Sequence, residues 1–135
     1  MQLVHEVQAL EGEGLKGDRY CTGEGSFNKG KQGRRQVTFI NGIFFPGTGF
    51  EYVDSRRNIV VEGVELMWLI GKYFSIDDAT FYGVKYCDPC DRPSKIAGKP
   101  GFKEAFFDRG GLVADIYATG LIRVGDEVLP PPKGY

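Results

Sequence analysis

Glycine is the residue that most narrows what this chain can fold into. It fills 20 of 135 positions, about 15% against a usual ~7%. A residue without a Cβ marks a turn, a bulge or a close approach of two backbones. So many of them favour a loop-rich β fold over a helical bundle. The length fits one domain over residues 1–135, large enough to bury a core without disulfide staples.

The hydrophobic pattern agrees. Leu3 to Ala9 alternates, Gln36 to Ile40 is β-branched and aromatic, and Asn58 to Glu62 is a further short strand. Lys72 to Ile76 and Thr80 to Cys87 flank the turn signal Asp77-Asp78. Leu112 to Ala118 and Leu121 to Val124 are expected to form a hairpin around Thr119-Gly120, followed by Glu127 to Leu129. Two short helices are expected: Val64 to Ile70, stopped by Gly71, and Phe102 to Phe107, ended by Gly110-Gly111. Gly12 to Gly33 is a long polar loop, and Pro46, Gly47 and Gly49 interrupt any element between Ile43 and Tyr52. The tail at 130–135 opens with three prolines and is expected to fray. The expected architecture is mainly β, a closed or nearly closed barrel with two or three short helices.

A net charge of −1 argues against general nucleic-acid binding, where a basic face dominates. The cations are nevertheless clustered, at Lys29, Lys31, Arg34 and Arg35 and again at Arg56 and Arg57, which suits a local pocket for a small anion. No run reaches the ~18 apolar residues of a membrane span. With no apolar leader and three cysteines, an odd number, the expectation is a cytoplasmic protein with reduced thiols.

Three motifs carry candidate chemistry. Gly12-Glu13-Gly14-Leu15-Lys16-Gly17 spells G-x-G-x-x-G, but a dinucleotide site needs a helix opening there, and the residues that follow cannot make one. Cys87-Asp88-Pro89-Cys90 reads as half a zinc site, as a dithiol redox pair, as an exposed thiolate near Arg92 and Lys95, or as two small buried residues. Zinc would need Cys21 and His5, at irregular spacing. A redox pair would need a following helix, which Arg92-Pro93-Ser94 is expected to break early. Arg19, Arg34, Arg35, Arg56, Arg57 and Arg109 are surface charges by default, though several precede strands and would gather at a barrel rim. His5, within a strand, reads as structural.

Taken in order, the pieces are more specific than any one of them. Gly14-Leu15-Lys16-Gly17-Asp18-Arg19-Tyr20 is followed by Arg35-Gln36-Val37-Thr38 and by Arg56-Arg57-Asn58-Ile59-Val60-Val61. Then come Gly63-Val64-Glu65-Leu66, Cys87-Asp88-Pro89-Cys90, Arg109-Gly110-Gly111-Leu112 and Ile122-Arg123-Val124-Gly125-Asp126. The set, from about Val4 to Leu129, resembles the MOSC domain, named for the C-terminal part of molybdenum-cofactor sulfurases, and more closely its small standalone bacterial members. Relatives usually carry a further strand before the segment that opens this chain, and commonly run helical where Phe44 to Phe50 is broken by glycine and proline.

The resemblance implies a barrel of the PK β-barrel type and a role in handling molybdenum cofactor (molybdopterin) or its sulfur. It implies that Cys90 accepts sulfur or ligates molybdenum, with Cys87 an additional thiol. It also implies that Arg19, Arg35, Arg57 and Asn58, with Asp18 beside them, hold the anionic pterin phosphate. Pyridoxal phosphate, tied to the full-length sulfurases, is not expected, because no desulfurase domain or Schiff-base lysine motif is visible. The partners implied are a small-molecule cofactor or substrate and a sulfur-donor protein. The activity implied is sulfur transfer, or molybdenum-dependent oxo transfer reducing an N-hydroxylated substrate. Two alternatives stand beside this: a non-enzymatic anion-binding barrel with structural cysteines, and a CxxC thiol redox protein.

Overall fold

The computed structural model describes residues 5–16, 36–89 and 92–129. In chain order the strands are β1 (Glu6–Leu10), β2 (Gly14–Leu15), β3 (Val37–Asn41), β4 (Ile59–Val61), β5 (Tyr73–Ile76), β6 (Ala79–Tyr86), β7 (Leu112–Ala118), β8 (Gly120–Arg123) and β9 (Val128–Leu129). Two short helices, α1 (Arg92–Ala97) and α2 (Phe102–Ala105), lie between β6 and β7. Six strands in the order β4-β3-β7-β6-β5-β9 form a nearly closed barrel. A three-stranded sheet, β2-β1-β8, lies along it, with β1 against β7 and β8 against β6.

Strand β3 is buried on both faces. It pairs with β4 in parallel and β7 in antiparallel, and Val37, Thr38, Phe39 and Ile40 are all buried. A strand covered on both faces has no polar side to show, which is why Val37, Phe39 and Ile40 are apolar, with only Thr38 between them, before the strand ends at Asn41. Phe39 points into the barrel, where its ring centroid lies 5.4 Å from Phe74 and 5.2 Å from Phe81. Ile40, on the opposite face, packs into a satellite cluster with Phe45, Phe50, Phe102 and Phe106. The segment broken by Pro46, Gly47 and Gly49 forms no long helix. It makes a 3-10 turn at Gly42–Phe44 and then drops Phe45 and Phe50 into that cluster.

Several sequence expectations are corrected. Val64 to Ile70 is helical only as a 3-10 turn over Leu66–Leu69, which buries Leu66 and Leu69 and leaves Trp68 half exposed. Pro93 does not break α1. A proline in the first turn forfeits an N–H that has no intrahelical partner there. Gly12 and Gly14, within the stretch expected as loop, belong to a β-hairpin: Gly12 takes a left-handed φ of 71° and Glu13 N donates to Leu10 O at 3.0 Å. The largest correction concerns β7 and β8, which do not pair with each other. β7 lies between β3 and β6, whereas β8 joins β1 in the smaller sheet. Gly120 permits the change of sheet, because a Cβ there would sit against the backbone of Asp78 and Ala79.

Removing the Phe39 side chain leaves a cavity among rings held by β5 and β6. Phe39→Ala is expected to lower the unfolding free energy by about 3–5 kcal/mol, whereas Ile43→Ser, at a position 69% exposed, shifts it by less than about 0.5 kcal/mol. Urea denaturation measures both.

Candidate functional site

The chain leaves the barrel at Tyr86 and runs through Cys87, Asp88 and Pro89 before α1. Cys87 N donates to Gly111 O at 2.9 Å, and Gly110 N donates to the Tyr86 hydroxyl at 3.4 Å. Gly110 is required by contact: a Cβ would strike the Cys87 carbonyl oxygen and lie 2.8 Å from Pro89 Cδ. The Arg109-Gly110-Gly111-Leu112 motif is therefore the floor beneath the cysteine loop.

Arg57 clamps this arrangement from below. It is only 6% exposed. Its Nε donates to Gly110 O at 2.7 Å, Nη1 to Ser55 O at 3.1 Å and Nη2 to Asp88 O at 3.3 Å, and its Cζ lies 5.8 Å from the Phe102 ring centroid. Three of the five N–H groups of the fork thus hold carbonyls on three separate segments. Among the described residues no carboxylate pairs with it.

The residues on either side are also committed. Asn58 Oδ1 accepts from Thr38 N at 2.8 Å and Thr38 Oγ1 at 3.0 Å, while Asn58 N donates to Thr38 Oγ1 at 3.0 Å and to Thr38 O at 3.1 Å. This reciprocal set fixes the start of β4 against β3. Arg56 closes the 3-10 turn Tyr52–Ser55 in a left-handed conformation, φ 61°, and its buried Nε has no hydrogen-bond partner among the described residues. Arg109 lays its guanidinium 5.0 Å from the Phe44 ring centroid. Around this core Lys99 Nζ meets Asp54 Oδ2 at 2.6 Å, tying the segment after α1 to the 3-10 turn. The Lys99 hydrogen bond, with one from the Glu51 amide, holds the Asp54 carboxyl below the usual carboxylate range. The same contact raises the Lys99 ammonium above its usual range.

Residues 45–129 match the family model of the MOSC domain. The chain belongs to the MOSC domain family. The fold of this MOSC domain is similar to the YuaD protein from Bacillus subtilis, with a TM-score of 0.75, 18% identity, 94% of this chain covered and 85% of that one. It is also similar to YiiM from Escherichia coli, at TM-score 0.66 and 15% identity, covering 97% of this chain and 64% of that one. YiiM from Geobacillus stearothermophilus gives a TM-score of 0.64 at 14% identity, covering 75% and 56% respectively. The chain thus spans less than two thirds of either YiiM protein. No curated protein matches it.

The structure brings Arg57 and the Cys87–Pro89 segment of the MOSC domain together. Cys87 is 1% exposed, part of the wall rather than of a surface. Cys90, Arg19, Arg35 and Asp18 lie outside the described residues, as do Cys21 and Arg34. A cleft of about 660 Å³ runs along β4, bounded by Arg57, Asn58, Val60, Glu62, Arg123 and Glu127. Cys87, Asp88 and Pro89 do not line it. His5, expected within a strand, precedes β1, is exposed and also borders this cleft. Among the described residues no group of three His, Cys, Asp or Glu side chains could hold a metal ion, and no helix is long and apolar enough to cross a membrane. Sequence reasoning missed the orphaned nitrogen of Arg56 and the carbonyl anchors of Arg57, since nothing in a residue string marks a backbone carbonyl.

Arg57→Lys keeps the charge but replaces a planar fork with a point donor, so at least one carbonyl loses its partner. It is expected to destabilise the protein by about 1.5–3 kcal/mol, read by urea denaturation. The Asp54 pair gives a pH signature. Its lowered carboxyl stabilises the fold above the ordinary carboxylate pKa of about 4, and that contribution disappears as pH falls through the lower folded value. The raised Lys99 contributes below about 10.4 and loses its contribution as pH rises past the folded value. Lys99→Met should therefore be less stable than the parent at neutral pH and converge with it in strong acid, measured by denaturation across that range.

Proposed function

We propose that this MOSC-domain protein binds molybdenum cofactor or a related anionic ligand, with Cys90 as sulfur carrier or molybdenum ligand. The observation that supports this reading is Arg57, a buried guanidinium that grips Asp88 O two residues before Cys90, with no described carboxylate against it. The buried Arg56 Nε is an orphaned donor, and leaving such a donor unsatisfied is costly unless an acceptor comes to it. Both features fit a phosphate-bearing group, whose oxygens suit guanidinium donors, while a thiolate suits molybdenum or sulfur. Arg19 and Arg35 are the cations proposed to meet the phosphate beside the Arg56–Arg57–Asn58 segment, with Asp18 a further residue of the proposed cofactor-binding set.

In this proposal Arg57 acts on the cysteine loop in two ways. It fixes the loop, and its charge lowers the pKa of a thiol held nearby, raising the thiolate fraction near neutral pH. As a carrier, the Cys90 thiolate attacks the outer sulfur of a persulfide on a sulfur-donor protein. A new S–S bond forms on Cys90 as the donor's S–S bond breaks, and the donor leaves as a thiolate. The bound cofactor would supply a molybdenum centre suited to oxo transfer, with a small N-hydroxylated compound as the substrate class. A cytoplasmic setting, where thiols stay reduced, belongs to the same proposal. Pyridoxal phosphate has no place in it.

The burial of Cys87 favours a second reading, a non-enzymatic anion-binding barrel in which the cysteines serve structure. Anaerobic purification after expression with abundant cofactor, followed by metal analysis and intact mass, separates the two. Stoichiometric molybdenum, pterin or a one-sulfur mass increment is expected on the parent and on Cys87→Ser, and is lost in Cys90→Ser. Clean apo-protein from the parent, with both thiols inert to modification at neutral pH, would overturn the cofactor reading.

A further inference from the structure

The cleft of about 660 Å³ along β4 has a chemistry that the cysteine loop does not use. It is the seam of the barrel. Residues of β4 and of β9, the two edges of the six-stranded sheet, both stand on its walls. Because these edges do not pair with each other, the core opens to solvent between them. Val7, Ile59, Val64 and Val128 pack against the core cluster yet stay only partly buried, and all four line the cleft. Its floor is therefore a continuation of the barrel core, built from branched aliphatic side chains. Such a surface gains free energy when another aliphatic chain covers it.

The rim carries the opposite chemistry. Glu6 Oε2 lies 3.5 Å from Arg123 Nε, so these two charges offset each other. Asp126 Oδ2 accepts from Arg123 N at 2.8 Å. Glu62, just past the end of β4, and Glu127, just before β9, are exposed, and their carboxylates make no ion pair or hydrogen bond among the described residues. The other cation on the cleft is Arg57, which is separated from Glu62 by the length of β4 and solvated by its own three carbonyls. The Glu62 end of the seam is therefore acidic above an aliphatic floor.

We propose that this seam binds a small aliphatic amine in its ammonium form. The hydrocarbon chain covers the exposed edge of the core, and the ammonium N–H groups donate to the carboxylates of Glu62 and Glu127. An anion with the same chain meets like charge at the rim. A neutral alcohol keeps the aliphatic contact and loses the ion pairs. This site is separate from the proposed cofactor chemistry, since Cys87, Asp88 and Pro89 do not line it.

The probe is hexylamine, titrated into the full-length protein at low salt while the valine and isoleucine methyl resonances are followed by NMR. The controls are 1-hexanol and hexanoate, with the same chain and a neutral or negative head, and methylamine, with the head and no chain. Hexylamine is expected to shift the Val7, Ile59 and Val128 methyl signals saturably. It should bind about fivefold more tightly than hexanol, the gain that two exposed ion pairs supply, with hexanoate weaker than either. Glu62→Gln combined with Glu127→Gln, two exposed positions outside the core, should bring hexylamine down to the affinity of hexanol. Equal binding of hexylamine and hexanol to the parent, an undiminished preference in the double variant, or saturation by methylamine at the same concentrations would each overturn the proposal. So would the absence of saturation by hexylamine in the tens of millimolar.

Discussion

A cation buried in protein must be surrounded by acceptors, because desolvation is otherwise too costly. Arg57 meets that demand with backbone carbonyls from three segments that are far apart in sequence: Ser55, Asp88 and Gly110. Carbonyl oxygens solvate the charge without cancelling it. The guanidinium therefore does two things at once. It locks the 3-10 turn, the cysteine loop and the approach to β7 into one body, and it leaves a positive field beside that loop. A carboxylate paired with the guanidinium would have neutralised that field and could not by itself have tied three segments together.

This explains why the site was only half legible in the residue string. The resemblance to the MOSC domain implied that Arg57 and Asn58 hold a pterin phosphate. In the fold, Arg57 commits three N–H groups to its own backbone, and the Asn58 carbonyl oxygen is committed to Thr38. Motif order marks residues on which a site depends. It does not separate those that touch a ligand from those that hold the frame. Arg56, adjacent in sequence, keeps the orphaned donor, and nothing in Arg56-Arg57-Asn58 says which arginine turns inward. A left-handed φ at Arg56 turns the chain at this point, and such a conformation is not encoded by residue type except at glycine.

The fold was legible where burial leaves a one-dimensional trace and not where the outcome depends on what lies across a gap. Strand β3 could be read because cover on both faces forces an apolar run. The β5–β6 hairpin could be read because Asp77-Asp78 offers only a tight reversal, and Asp77 indeed takes φ 51°. Thr119-Gly120 carries the same kind of turn signal, yet the chain there steps from one sheet to another. The glycine serves proximity to Asp78 and Ala79 rather than reversal. Local chemistry was identical in kind, and only the long-range contact decided between the two outcomes. For Gly12, Gly14 and Gly17 the string itself is enough: the spacing matches a phosphate loop, but the following sequence denies the helix that would make it one.

The two edges of the six-stranded sheet offer little backbone for another chain to pair with. An open edge strand offers unpaired N–H and C=O groups to any extended segment. Here the edges are β4, three residues long, and β9, two residues long. The cleft along β4 is flanked by Glu62, Arg123 and Glu127, whose charges make approach of an apolar strand unfavourable. Short edges limit the number of hydrogen bonds an intruder can gain, and flanking charges raise the desolvation it must overcome. The cleft stays open beside Arg57 and Asn58, and Cys87, Asp88 and Pro89 do not line it.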